Sequence, residues 1–401
     1  MSRLRIALVA NNIHFRGGME RYCAELATAL CQEHDVHLFA TEIADVPFDR
    51  LTIHSVRSVK KPILALFLQF YWNASRQVRL RDFDIVHTIG GITAQQNIVT
   101  AQYCQHAWGE ALRMEPGASE GVTAYHQFMW RLTGYFEKRA MTSPQTLGIS
   151  ANSLRTSQDL QRYYGSDPQK ISVIHNAVDP VRFTPENRRF RREIRRRFQI
   201  PEEAVVALFV GEYRRKGLAT VIRALGLAND PCVHLLAVGK GDLAHYNALA
   251  REAGIQDRTT FAPPVKEIEQ VFGAADVFVF PTFYEAFGMV ITEAMASGLP
   301  VVTSRSAGAA EMIDTGTSGL LVDRPGDAQE FSRTLAPLLQ DEMLRRGMGE
   351  KARVVAARYQ WSDVANDTLS LYHRSLATCT DSTAIRFKHN PPADTGEQSI
   401  P

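Results

Sequence analysis

The chain has 401 residues, 45% of them hydrophobic, more than a single ordinary core absorbs, so two α/β domains are expected. Its 45 Lys and Arg stand against 43 Asp and Glu, without the basic excess of a nucleic-acid-binding protein, and no nucleic acid partner is expected. Five scattered cysteines, never spaced as CxxC, exclude a disulfide framework or a zinc site and fit a reducing, cytoplasmic setting.

From the amino end, MSRLRIALVANN passes straight into a strand-like run with no signal-peptide core. Strands are expected at Arg5–Ala10, Val36–Ala40, Thr52–Val56, Asp84–Thr88, Ile98–Ala101, Gly148–Ser150 and Ile171–Val173, with helices at Gly18–Glu33 and Tyr125–Met141 among those between them. The longest apolar stretch, Pro62–Trp72, is far short of the ~20 residues a membrane-spanning helix needs. Arg57, Lys60 and Lys61 precede it and Arg76, Arg79 and Arg81 follow it. Such a basic, aromatic-rich stretch fits either peripheral contact with an anionic membrane or a helix covering one face of a sheet.

After residue 175 the text changes to a turn and an arginine-rich helix, expected to be exposed, with seven arginines from Arg188 to Arg197. The strand–helix rhythm then restarts at Val205–Val210, His234–Val238, Thr259–Ala262, Val277–Phe280, Val301–Thr303 and Gly319–Val322. The reading is an α/β chain of two doubly wound parallel sheets, residues 1–174 and 175–360, with a cleft between them. The last periodic helix, about 361–378, either completes the second domain or crosses back to the first. Residues 380–401 are polar and aperiodic and are expected to be disordered.

The most informative stretch is PTFYEAFGMVITEAMASGLP, Pro281–Pro300, which starts where a strand ends and runs into a helix. Open α/β sheets bind ligands in the crevice beyond their strands' carboxyl ends. Gly288 allows close approach of a ligand to the backbone, and the amides of Phe287, Gly288, Met289 and Val290 at a helix start form an anion site. Glu285 and Glu293 bracket this turn; carboxylates repel phosphate, so they are suited to accepting hydrogen bonds from sugar hydroxyls. In FVGEYRRKG, Gly211 ends a strand, and Arg215 and Lys216 supply two cations at a helix start, able to neutralise a diphosphate leaving group. Gly17 and Gly18 likewise precede a helix after the first strand, but the loop is not GxGxxG, which disfavours an NAD enzyme.

These segments resemble the retaining glycosyltransferases of family 4, which have the GT-B fold, over essentially residues 5–360, with Glu285 and Glu293 at the two positions of the E-x7-E motif. The resemblance implies that Glu293 holds the donor ribose, Glu285 reaches the transferred sugar, Arg215 and Lys216 stabilise the departing diphosphate, and Gly17 and Gly18 lie against the donor phosphates and the acceptor. It further implies that backbone near Val265 holds the base and that His106 lines the acceptor side. Glu212 and Ala107 depart from the family pattern, where arginine and aspartate are common. The implied donor is a nucleotide-diphosphate sugar, UDP-hexose favoured, as in lipopolysaccharide-core and cell-surface polysaccharide assembly. The acceptor is a glycan or a lipid-linked glycan, and no cofactor is implied. No metal is expected either, since the only DxD, Asp82–Asp84, opens a strand. A nucleotide-sugar epimerase and a non-catalytic glycan-binding homologue are the rival readings.

Overall fold

The computed structural model describes residues 3–114 and 123–389. Two parallel sheets form its centre. The first contains β1 (Arg5–Val9), β3 (Asp35–Ala40), β5 (Thr52–Ser55), β6 (Ile85–Ile89), β7 (Ile98–Ala101), β8 (Gly148–Ala151) and β9 (Ile171–Val173), in the order β5-β3-β1-β6-β7-β8-β9. Two-residue strands β2 (Asn12–Ile13) and β4 (Glu42–Ile43) pair above it. The second contains β10 (Val205–Glu212), β11 (Val233–Lys240), β12 (Thr259–Ala262), β13 (Val277–Phe280), β14 (Val301–Ser304) and β15 (Leu320–Val322), in the order β12-β11-β10-β13-β14-β15. In each sheet the order reverses beside the first strand, which opens a crevice at the strands' carboxyl ends.

Parallel strands are covered by helices on both faces, so they read as unbroken apolar runs. In VFVF of β13 all four residues are buried, as they are in IVTA of β7. One face of the first sheet is covered by the Gly18–Leu30 helix, through Tyr22, Leu26 and Leu30, and by the carboxyl-terminal helix. The other face meets the Ile63–Gln77 helix, which buries only Phe70 and Ala74.

The chain crosses between domains twice. Ile174 and Ala177 join the first core and Val178 the second, and Val178 N–H donates to Tyr359 C=O at 3.2 Å, tying the outward crossing to the return. The Trp361–His389 helix crosses back: Val364, Leu371 and Tyr372 enter the first core, and the Tyr372 hydroxyl meets His87 Nδ1 at 2.7 Å. This helix runs on to His389, past the point where polar composition suggested an irregular tail; 390–401 of that tail lie outside the described residues.

The arginine-rich segment is a short helix, Arg191–Arg197, and it is not wholly exposed. Arg195 is fully buried, donating to the carbonyls of Ala274, Pro201 and Ala204 and pairing with Asp276 at 2.8 Å. A buried guanidinium persists only when its donors are satisfied, and here backbone carbonyls do that.

Candidate active site

A cleft of about 910 Å³ lies between the domains, at the carboxyl ends of both sheets. Of the expected site residues, Gly17, Gly18, Gly211, Arg215, Lys216, Val265, Glu285, Phe287, Gly288, Met289, Val290 and Glu293 all line it. His106 does not. The helix that carries it begins at Gln105, and that phase turns Gln105 toward the domain interior while His106 faces outward, its Nδ1 3.2 Å from the Tyr164 hydroxyl. Asp84 is also away from the cleft, where its carboxylate accepts from Arg5 N–H at the opposite end of β1.

Local sequence explains the central turn. Gly288 caps the Met289–Ala296 helix with φ +98°, in the left-handed region that side chains resist. A Cβ there would lie 2.9 Å from Glu285 Cγ, so glycine also makes room for the carboxylate. The turn is held from behind by 304–309: Glu285 N–H donates to Ser306 C=O, Gly308 N–H to Glu285 C=O at 2.8 Å and Ala309 N–H to Phe287 C=O at 2.7 Å. Glu311, just beyond this segment, does not line the cleft; it accepts from Leu154 N–H at 3.0 Å and pairs with His175, bridging the domains.

Glu285 forms an ion pair with Lys216. Lys216 is buried, 5.2 Å over the Phe280 ring; burial, and then the Arg215 cation, push its pKa well below the usual lysine range, with Glu212 opposing. Glu212 orders the loop, its carboxylate accepting from the amides of Arg214 and Arg215 at 3.1 and 2.8 Å. That is the structural use of the residue that departs from the family's arginine. Glu293 is pushed up by burial, while Arg21 and Arg182 pull it down.

Among the described residues, seven cationic side chains line the cleft (Arg16, Arg21, Arg182, Arg215, Lys216, Lys240 and Lys266) against the carboxylates Glu212, Glu285 and Glu293. Low-dielectric walls concentrate such a field on an anion. Sequence reasoning missed Arg21, which reaches Glu293 from the other domain at 3.4 Å. It also missed an amide cluster: Asn152 Nδ2 donates to Gln102 C=O at 2.9 Å and Asn176 Nδ2 to Gln102 Oε1 at 3.3 Å, and all three residues line the cleft. The only available signal was their position just after strands β7, β8 and β9.

Known proteins share the two-domain arrangement. The family described as Glycosyltransferase Family 4 matches residues 16–182, and that described as Glycosyl transferases group 1 matches residues 190–355. The D-inositol 3-phosphate glycosyltransferase of Corynebacterium glutamicum is 34% identical over 57% of this chain and 57% of its own length. D-inositol 3-phosphate glycosyltransferase 2 of Catenulispora acidiphila is 34% identical over 60% of this chain and 58% of its own. The chain thus spans under two thirds of these curated relatives. Among solved structures, WaaG, a glycosyltransferase involved in lipopolysaccharide biosynthesis, aligns with a TM-score of 0.75 at 21% identity, covering 90% of this chain and 98% of that one. HepE of Anabaena in complex with UDP-glucose aligns with a TM-score of 0.66 at 18% identity, covering 94% and 100%. At these identities the structural likeness establishes the two-domain GT-B fold.

Proposed function

This chain belongs to glycosyltransferase family 4, and from that premise we propose that it transfers a hexose, with retention of anomeric configuration, from a UDP-sugar to a hydroxyl of a glycan or lipid-linked acceptor. The observation that carries the reading is the cationic cleft in which Lys216, Glu285, Gly288 and Glu293 converge. The diphosphate is held by Arg215, Lys216 and the turn at Gly288, and its growing negative charge is stabilised as the sugar–phosphate bond breaks. Glu293 accepts from the ribose hydroxyls and Glu285 from those of the transferred sugar. The acceptor hydroxyl attacks from the face the diphosphate leaves, and the departing phosphate takes its proton. UDP is favoured because a structural neighbour is named with UDP-glucose bound.

The test is thermal shift of the full chain with UDP, GDP and ADP, followed by nucleotide release from the matching sugar donors. UDP is expected to stabilise most, and release is expected to accelerate with acceptor. Release that is insensitive to every acceptor supports an epimerase or hydrolase instead.

Peripheral membrane contact is a second reading of the same lobe, favoured by one observation. The Ile63–Gln77 helix leaves Ile63, Leu68 and Trp72 exposed at 62%, 42% and 58%. Beside it, the Ala124–Thr142 helix exposes Tyr125, Phe128 and Tyr135, and the two meet where Phe67 packs 5.3 Å from Phe136. From Arg57 to Arg81 there are six cations and no carboxylate, each cation near an anionic leaflet contributing about 1 kcal/mol. Among the described residues no helix is long and apolar enough to cross a membrane. Co-sedimentation with anionic liposomes that weakens in salt and in Lys60→Gln/Lys61→Gln is expected. Absence of sedimentation under every condition favours a soluble acceptor.

A further inference from the structure

A second cavity, about 130 Å³, lies within the first domain. It is bounded by residues following β1 and β6, by the start of the Gln105–Met114 helix, and by Thr133 and Glu137 of the Ala124–Thr142 helix. Met19 and Gln102 line both this cavity and the donor cleft, so the two adjoin at those residues.

Its chemistry is the reverse of the cleft's. Among the described residues no lysine or arginine lines it, whereas Glu20 and Glu137 do. Glu137 is buried, its Oε2 accepting from Gln105 N–H at 2.8 Å and from the Tyr164 hydroxyl. Glu20 sits in the first turn of the Gly18–Leu30 helix, where the helix dipole favours a carboxylate. Gln102 and Gln105 are 8% and 4% exposed, and the Nε2 group of each is buried without a hydrogen-bond partner. Native interiors rarely leave such donors unpaired, because each costs about 1–3 kcal/mol. Two unpaired amide donors carried by residues that line one cavity are suited to the oxygen atoms of a ligand.

We infer that this cavity receives the acceptor as an uncharged, hydroxyl-rich ring, with Gln102 and Gln105 donating to its oxygens and Glu20 and Glu137 bonding its hydroxyls, and that the Glu20 carboxylate, with no cation beside it in the described lining, selects against phosphorylated acceptors. The inference rests on the proposed function, since the cavity has this meaning only beside a bound sugar donor. The two halves of the site are then sorted by charge: the anionic donor belongs with the cations, and the uncharged acceptor with the amides and carboxylates. A phosphate placed in this cavity meets the Glu20 carboxylate and, among the described lining residues, no cation, a mismatch of the kind that sets specificity by exclusion. The curated relatives are named for a phosphorylated acceptor, D-inositol 3-phosphate. By this inference the present chain differs from them in acceptor class.

The experiment is saturation-transfer NMR on the full chain with UDP present. Methyl α-glucoside and myo-inositol are compared with glucose 6-phosphate and myo-inositol 3-phosphate. The uncharged rings are expected to bind at least about tenfold more tightly than their phosphates, a difference of about 1.4 kcal/mol. Gln105→Leu is expected to weaken the uncharged rings, and Glu20→Lys to narrow or reverse the preference. Equal or tighter binding of the phosphates overturns the inference, as does binding of neither class by a chain that binds UDP; both outcomes leave the donor reading standing. Absence of UDP binding in the same samples defeats the donor reading, and this inference with it.

Discussion

Arg21 of the first domain and Glu293 of the second meet across the cleft, Nη1 to Oε1 at 3.4 Å, with only 7% and 15% of their side chains exposed. The carboxylate proposed to hold the donor ribose is therefore tuned by a cation on the opposite lobe. Arg21→Gln removes that cation and leaves burial to raise Glu293 further. A protonated carboxyl accepts fewer hydrogen bonds, so UDP affinity of the variant is expected to fall as pH is lowered, more steeply than in the parent. Calorimetric titration at several pH values checks this, and parallel pH profiles would falsify the coupling.

Glu293→Gln is expected to weaken UDP-sugar binding by about 1–3 kcal/mol, the scale of leaving a buried partner unpaired. Lys216→Ala is expected mainly to lower kcat, because the ammonium meets charge that grows as the bond breaks. Steady-state kinetics separate the two. Parent-like constants in both variants mean that the donor lies elsewhere.

Gly288→Ala places a side chain at φ +98° and 2.9 Å from Glu285 Cγ. The backbone term alone is about 1–2 kcal/mol. The expected outcome is a Tm lowered by a few degrees together with loss of UDP-induced stabilisation, since Glu285 must move. An unchanged UDP response in thermal shift argues against the turn as part of the site.

If Arg215 and Lys216 carry the leaving-group charge, as proposed, turnover is expected to persist in excess chelator. Complete loss that Mn²⁺ restores contradicts that assignment.

Stability is expected to fall on both sides of a mildly acidic optimum. Buried His87, bonded through Nδ1 to Tyr372 and through Nε2 to Thr100, is pushed down to about 3 from an ordinary 6.5. The unfolded chain then binds the extra proton, so stability is lost as pH falls from 6.5 toward 3. Burial pushes Glu137 up to about 7 from 4.5, so its folded state favours the proton and stability is lost as pH rises from 4.5 through 7. His87→Asn is expected to flatten the acidic limb of a denaturation–pH profile and Glu137→Gln the alkaline one.

What sequence could show followed from how local each feature is. β7, β9, β12 and β13 have the predicted bounds; β7 and β13 are buried throughout, and strands buried on both faces leave no ambiguity of period. Gly288, Glu285 and Glu293 were legible together because a strand end, a left-handed glycine and a helix start lie within a few residues. Arg21 was not, since its partner is 272 positions away and only the closing of the domains brings them together. That Gln105 rather than His106 lines a cavity was not legible, because one residue of uncertainty in a helix start rotates a side chain by about 100°. The exposure of Trp72 was equally hidden, for an apolar helix reads alike whether a sheet or nothing covers it.

The return of the Trp361–His389 helix to the first core gives the two lobes unequal histories during synthesis. Every strand of the first sheet leaves the ribosome before the second domain begins, yet Val364, Leu371 and Tyr372 are made only after that domain is complete. Tyr22, Leu26 and His87 must wait for these residues to complete their burial. The domain that starts first is finished last, while the second, a continuous stretch of chain, is free to fold as a unit in between. Chains truncated just short of residue 361 and released from the ribosome would therefore hold a folded carboxyl-terminal lobe and an amino-terminal lobe still open to protease.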